Sequence, residues 1–397
     1  MRGGRGPGRP RPVDPPPGAA RRTPRGGARG HRGRRTGRAG RRPRGDTVTA
    51  ALRVGLLGYG WVNRTVWLPR IRRHPRLDLA AVHDPEAAGV PAAMSWTGFL
   101  DARPDVVVIG TPNHTHAALA SAVLERGIPV VVEKPLCLSR AEFDTLAERA
   151  RGVGLLVSRA AVRREDVRRL TGALPPGPLT VRASWLRAGG VPRPGSWFTG
   201  RATAGGGALL DLGWHLADVA LGLLGRPRLV TVAAELRTPG GEYAGGHTAG
   251  RAAWRGDTAG TGPVDVEVDG TVRAEFEGGA RLVLRAAWES EVATDRTRFV
   301  VEGGAERRVL TGTFGFSPNR VAEPALTAWG PGSYRRVTLP DPVGREYDAQ
   351  VEAIADFASG TLDWEAELAE SAAVVDLLEA AYRASGRPPA LPESTAV

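Results

Sequence analysis

Short, continuous runs of β-branched and other apolar residues mark the first half of the chain, at residues 52–57, 77–83, 105–110, 128–133 and 155–158. Runs of this length without alternation suit strands buried on both faces, as in a parallel sheet covered by helices. Between them lie a helix start after residue 60, an amphipathic stretch to about residue 126, and another over about 140–152. The pattern then changes. Residues 175–178 (Pro-Pro-Gly-Pro) read as a loop and 179–186 alternates as a half-buried strand. Residues 229–236, 264–268, 271–276, 281–288 and 298–302 read as further strands, with Asp269-Gly270 and Gly278-Gly279 as hairpin turns and the Gly-rich stretch 240–262 as an irregular loop. Two helices, at about 342–358 and 365–384, close the chain, and Gly386-Arg387-Pro388-Pro389 stops the second. The expected division is a tail at 1–46, an α/β domain at 47–160, and an α+β domain with a mainly antiparallel sheet at 161–397 that includes the C-terminal helices.

Polar residues gather at the carboxyl ends of the apolar runs. Gly58-Tyr59-Gly60 follows the first strand and leads through Trp61 into a helix, and Asp84 ends the second strand 24 residues after Gly60. A dinucleotide-binding Rossmann fold uses this spacing. Its glycine turn and helix N-terminus face a pyrophosphate, and the carboxylate meets the adenosine ribose. Asn63 stands where the fingerprint has its third glycine, a position that serves close packing of helix on strand. Thr111-Pro112-Asn113-His114-Thr115-His116 follows the third strand and Glu133-Lys134-Pro135 the fourth. Ligands of open α/β sheets sit beyond the strands' carboxyl ends, so one crevice should collect all of these residues. His114 and His116 open a helix, where capping or packing is the commoner use of a histidine.

Lys134 is the only lysine; the other 53 of the 54 basic residues are arginine. Arginine keeps its proton near neutral pH, whereas a partly buried lysine can release it, so Lys134 is a candidate acid/base group. Composition alone leaves it equally readable as incidental. Further on, Asp211, His215 and Asp218 stand at i, i+4 and i+7 on one face of an apolar helix that follows Gly205-Gly206-Gly207. Burying such groups unpaired costs roughly 1–3 kcal/mol each, so they serve either chemistry or internal hydrogen bonds. Arg187, Arg193, Arg201 and Trp197 lie just upstream. They read as the lining of a site for an anionic sugar or as a solvated loop.

The formal charge of +12 is a property of the tail. Residues 1–50 hold 15 Arg and 2 Asp, and removing these from the totals of 54 basic and 42 acidic residues leaves 39 against 40. A phosphate-binding argument therefore applies to the tail only, where the alternative is that these residues precede the true start of translation, with Val48 as the first position. Its Arg, Gly and Pro bury too little to be expected to order. A single cysteine, Cys137, excludes an intrachain disulfide and a Cys-cluster metal site, and no metal-ligand spacing is seen, which together suit a reducing, cytoplasmic setting. No apolar run approaches 18 residues, so no membrane span is expected.

In this order and spacing, Gly58-Tyr59-Gly60, Asp84, residues 111–116, Glu133-Lys134-Pro135 and Gly206-Gly207 through His215 resemble the Gfo/Idh/MocA family of NAD(P)-dependent sugar and cyclitol oxidoreductases, over about residues 52–386. The resemblance implies a Rossmann domain followed by a large open, mainly antiparallel β-sheet through which such proteins oligomerise. Lys134 matches the family's E-K-P motif; Asp211 and His215 match its D-x-G-x-H motif. These three are the catalytic candidates, with His215 as acid/base, Lys134 polarising the reacting oxygen or relaying its proton, and Asp211 orienting them. Gly58, Tyr59, Gly60, Trp61, Asp84, Thr111, Pro112, Asn113, His116, Glu133 and Lys134 are the cofactor-binding candidates. Asp84 argues for NAD, since the 2′-phosphate of NADP would meet a like charge unless a nearby arginine accommodates it. The expected partner is a small sugar or polyol. Two alternatives stand beside the dehydrogenase: an NAD-dependent glycoside hydrolase with transient oxidation, and a non-catalytic NAD-binding regulator.

Overall fold

The computed structural model describes residues 50–85, 93–240, 242–244, 261–340 and 343–387. The Arg/Gly/Pro tail with Val48, most of the Gly-rich stretch 240–262, the expected helix start at 342 and the Pro388-Pro389 stop lie outside the described residues. The apolar runs form β1 (Leu52–Leu57), β2 (Leu77–His83), β3 (Val106–Ile109), β4 (Val130–Val132) and β5 (Leu155–Val157), all paired in parallel in the order β2-β1-β3-β4-β5. Helices α1 (Leu68–Ile71), α2 (Trp96–Asp101), α3 (His116–Leu124) and α4 (Arg140–Arg149) connect them. The chain steps from β1 out to β2 and back across to β3. That reversal opens a crevice above the carboxyl ends of β1 and β3.

Beyond α5 (Glu165–Thr171) come β6 (Thr180–Leu186), α6 (Arg201–Ala204), α7 (Ala208–Leu224), β7 (Leu229–Arg237), β8 (Glu242–Ala244), β9 (Thr261–Pro263), β10 (Asp269–Phe276), β11 (Arg281–Ala287), β12 (Arg296–Gly303), β13 (Glu306–Gly312), β14 (Ala325–Gly330) and β15 (Ser333–Thr338). Eight of these strands form a sheet in the order β15-β14-β13-β12-β6-β11-β10-β7. Every neighbouring pair in it is antiparallel except β6 with β11, whose crossover runs through α7. Helices α8 (Arg345–Ala358) and α9 (Trp364–Ala384) end the fold. α9 packs against β5 and α4 of the first sheet and against α7 and β7 of the second, so one apolar core continues through both.

Several expectations need correcting. Residues 264–268 are not a strand. Val264, Val266 and Val268 are buried, but the backbone and side chain of Glu267 are used at the N-terminus of α7 instead of in a ladder. Asp269-Gly270 is not a turn but the start of β10, where a Cβ on Gly270 would press on Leu236 and on Leu209 of α7. Gly278 does form the β10–β11 turn, at φ 73°. The segment 201–224 is long and apolar enough to cross a membrane by length and composition, but Asp211, His215 and Asp218 interrupt it, so that no apolar run in it approaches 18 residues, and 83% of its apolar window is buried inside the fold, as in a core helix.

Asp218, the third polar residue of the α7 stripe, is buried and paired. Its carboxylate accepts from Arg159 at 2.8 and 3.0 Å and from Arg226 at 3.1 Å. Burial opposes its ionisation, the two guanidinium groups outweigh burial, and its pKa falls below the ordinary value of 3.8. A depressed carboxyl stabilises the fold above its unfolded pKa and loses that contribution as pH falls through the folded one. Asp218→Asn should therefore lower the unfolding free energy at pH 7 by about 3–5 kcal/mol. In urea titrations the gap to wild type should close below the ordinary value, and a gap that persists at acid pH would contradict the pairing.

Candidate active site

A cleft of about 950 Å³ lies at the carboxyl ends of β1, β3 and β4, facing α7 and loops of the second sheet. Its lining includes Gly58, Gly60, Trp61, Asp84, Thr111, Pro112, Asn113, His114, His116, Glu133, Lys134, Asp211 and His215. A second cavity, of about 510 Å³ between α1, α5 and α8, holds none of these and is walled by ion pairs such as Arg70–Asp348 and Arg164–Asp166.

The glycine turn is shaped by close approach. Gly58 has φ +82°, and a Cβ there would press on Thr111 and the Gly110 carbonyl at 2.9–3.0 Å. A Cβ on Gly60 would meet only the Gly110 carbonyl, at 3.9 Å, so its absence leaves open space over the turn. Asp84 lies beside the same turn and accepts the Tyr59 N–H at 2.5 Å. Tyr59 thus contributes its backbone, and its side chain is not among the lining residues. Asn63 is fully buried and donates to the carbonyls of Leu57 and Gly58 at 2.8 and 2.7 Å. It ties the first residues of the helical turn to the strand end, while Gly110 supplies the room that a third fingerprint glycine would give. The open turn, the strand-end carboxylate and the cleft fit a dinucleotide.

The loops after β3 and β4 are held by buried polar groups. His116 has Nδ1 2.7 Å from the Pro135 carbonyl and Nε2 3.0 Å from the Thr111 carbonyl, so its ring is wedged between the two loops, and in the neutral form its single N–H donates to one of these carbonyls. Burial pushes its pKa below the ordinary value, against the two carbonyls and with the help of the Lys134 charge. Glu133 accepts from the Trp67 indole at 2.9 Å, the Ser158 hydroxyl at 3.2 Å and the Lys134 N–H at 3.1 Å. Burial raises its pKa in spite of Lys134 and these donors. Asn113 and His114 reach across to the carbonyls of Ala204 and Thr203, at 2.8 and 3.1 Å, and so dock the β3 loop on α6.

Lys134 points from the end of β4 to α7. Its ammonium lies 2.6 Å from Asp211 Oδ1 and 3.2 Å from the Asp211 carbonyl, and Asp211 Oδ2 accepts the Trp288 indole N–H at 3.0 Å. His215 is one helical turn on, with its ring centroid 5.8 Å from that of Trp185. The arrangement brings a held cation, a carboxylate and an imidazole to the cleft wall opposite the glycine turn. Of the four upstream residues, Arg193 and Trp197 line the cleft. Arg187 does not: it is buried, with Nε 3.3 Å from Asp295. Nor does Arg201, whose N–H is given to Asp265 at 2.5 Å.

Sequence reasoning passed over Trp185, Trp96, Phe316 and Tyr347, which line the cleft, and Trp288, which is buried behind it on Asp211; Trp185 and Trp288 lie at the ends of expected strands. An aromatic residue closing a strand beside glycine-rich loops was the available signal for these two. Nothing local marked Glu267. It sits at the head of α7 and accepts from Gly207 and Leu209 N–H at 2.8 and 3.0 Å and from the Tyr382 hydroxyl at 2.7 Å.

Residues 52–160 match the family model described as the oxidoreductase family with an NAD-binding Rossmann fold, and residues 177–306 match the GFO/IDH/MocA C-terminal domain. A relative from Amycolatopsis mediterranei (strain S699), named "Putative UDP-kanosamine synthase oxidoreductase subunit", is 38% identical over 349 residues, covering 85% of this chain and 96% of its own. The crystal structure of GenD2 from gentamicin A biosynthesis in complex with NAD superposes with a TM-score of 0.65 at 26% identity, over 87% of this chain and 97% of that one. An oxidoreductase domain protein from Kribbella flavida shares the fold, with a TM-score of 0.69 at 22% identity over 85% and 98%.

Asn63→Ala should take the side-chain donor from the buried Gly58 carbonyl, while the Leu57 carbonyl keeps the Gly110 N–H at 2.9 Å, with a loss of about 1–3 kcal/mol in unfolding free energy. Chemical denaturation measures this, and a change within 0.5 kcal/mol, about what a surface substitution gives, would show that the side chain is not what closes the turn.

Proposed function

The chain belongs to the Gfo/Idh/MocA oxidoreductase family, and from that premise we propose that it moves a hydride between a secondary alcohol of a sugar and nicotinamide, with a nucleotide-activated sugar as the substrate class. The observation that carries this reading is the Lys134–Asp211 pair, formed across the cleft between the end of β4 and α7 with His215 on the same helix. The substrate class draws support from the name borne by the Amycolatopsis relative and the near-complete span of that match.

Gly58, Gly60 and Asp84 would hold the dinucleotide, which supplies the hydride acceptor or donor when bound. This chain's residues handle the proton. His215 takes it from the reacting hydroxyl, or returns it to the carbonyl oxygen in reverse. Lys134 donates to the same oxygen and favours the charge that builds there. Asp211 keeps the ammonium aimed, and Trp288 keeps Asp211 in place. Glu133 and His116 set the loop from which Lys134 projects. Asp84 favours NAD over NADP by like-charge repulsion of a 2′-phosphate. The division at residues 160/161, a cytoplasmic setting suited to the lone buried Cys137, and self-association through the eight-stranded sheet complete the reading. Net NADH formation with an intact sugar skeleton separates it from an NAD-dependent glycoside hydrolase, which regenerates its cofactor.

Lys134→Ala should lower kcat by about 10²–10³-fold, the range of a lost donor to a developing oxyanion, with NADH affinity within about threefold of wild type. Near-normal turnover would remove Lys134 from the mechanism. Asp84→Ser should narrow the kcat/KM preference for NAD over NADP by about tenfold or more, since the ribose hydrogen bond and the repulsion go together; an unchanged ratio would place the discrimination elsewhere.

A further inference from the structure

This inference rests on the reading that the cleft takes a sugar, and concerns the end of that sugar that does not react. Beyond His215 the cleft is walled by Trp185, Trp197, Phe198 and Arg193, and Arg193 is the sole arginine among the described lining residues. Its backbone has φ +43°. A residue with a Cβ persists in the left-handed region only where its surroundings over-determine it, and such strain clusters at ligand sites.

The surroundings here do over-determine it. The Arg193 carbonyl accepts the Ser196 N–H at 3.1 Å, and the hydroxyl of fully buried Thr199 lies behind the same turn, nearest the Ser196 and Pro263 carbonyls at 3.2 and 3.3 Å. The Gly195 N–H goes to that same hydroxyl and to the Pro263 carbonyl, both at 3.0 Å. On β9, a Cβ at Gly262 would meet the Pro194 carbonyl and Gly195 at 2.7 Å, so only glycine lets the strand clamp the loop. Two residues on from this clamp, Trp197 is 36% exposed, with the Phe198 ring edge-on at 5.1 Å. Phe198 in turn stacks at 5.6 Å on Trp288, the indole that holds Asp211. An aromatic shelf thus runs from the reacting end of the cleft to its rim.

A planar cation on a fixed loop beside an exposed indole is the chemistry that receives a nucleoside diphosphate. Guanidinium forks match phosphate oxygens, and an indole face stacks on a base. We infer that Arg193 pairs with the diphosphate of a nucleotide-activated sugar and that Trp197 packs on its base. Binding energy from this remote end positions the sugar hydroxyl between Lys134 and His215.

The test is calorimetric titration of the full chain with UDP and with dTDP, with and without saturating NADH, which fills the other nucleotide-shaped half of the cleft. Arg193→Gly is the informative variant, because glycine suits φ +43° and the fold should be as stable as wild type or more so. Its Kd for the nucleoside diphosphates should rise about 10–100-fold, as for a lost hydrogen-bonded charge, and Arg193→Lys should recover part of this. Trp197→Ala should weaken binding by about fivefold or more, with NADH affinity unchanged in every variant. Equal UDP and dTDP binding by wild type and Arg193→Gly, or none by the wild type, overturns the proposal. Diphosphate binding that depends on Arg193 in a protein that reduces no NAD with any sugar would sustain Arg193 and remove the dehydrogenase reading instead.

Discussion

An ammonium and a carboxylate held 2.6 Å apart, with side chains only 13% and 6% exposed, fix how the two sheets meet. Removing such charges from water costs several kcal/mol per ion and is offset only when the geometry is close and the remaining polar atoms find partners. Here they do. Lys134 has both the carboxylate and the carbonyl of Asp211, and the second carboxylate oxygen has the Trp288 indole. Because Lys134 belongs to the parallel sheet and Asp211 to the helix that crosses the second sheet, a shift of either half would strand a charge. Asn113 on Ala204 and His114 on Thr203 fasten the same seam a few residues away. The seam is therefore rigid where the cleft needs it to be.

That rigidity is set in turn by the head of α7. One oxygen of Glu267 receives two backbone N–H groups and the Tyr382 hydroxyl, with no basic side chain among its hydrogen-bond partners in the described residues. Burial raises its pKa against those three donors, and the helix N-terminus supplies the positive potential that a carboxylate there needs. The approach is so close that a Cβ on Gly207 would overlap the Glu267 carbonyl, and one on Gly206 the Tyr382 hydroxyl. The two glycines of the motif thus serve the seating of the helix, and through it the position of Asp211 four residues on.

What the sequence made legible was whatever a local pattern encodes. Continuous apolar runs gave the five parallel strands, and β2 in particular ends at the expected residue. The residues at strand ends could be gathered into one crevice because sheet topology places them there. Three strands of the second sheet, β13 to β15, were missed; in β13 and β15, Arg307, Arg308, Arg335 and Arg336 break the alternation that a half-buried strand should show. Partners far apart along the chain were invisible for another reason. Trp288 lies 77 residues from Asp211 and Glu267 lies 60 from Gly207, and no periodicity reaches across such distances. Arg187 and Arg193 looked alike in sequence; one is buried on Asp295 and the other lines the cleft.

The polar stripe on α7 is the place where local pattern and tertiary use part company. Asp211 and Asp218 do share a helical face, but they answer to different strands. Asp211 meets Lys134, just past β4, and Asp218 meets Arg159, just past β5, and those two strands are neighbours in register. At a rise of about 1.5 Å per residue the two carboxylates are about 10 Å apart along the helix, which lets α7 lie across the strand ends and meet each with its own carboxylate. The structural pair then fixes the register of the chemical one. A slide of α7 by one turn would misplace both carboxylates together, and two uncompensated buried charges cost far more than a slide could recover. His215, between them, is held in place by a helix pinned on both sides of it.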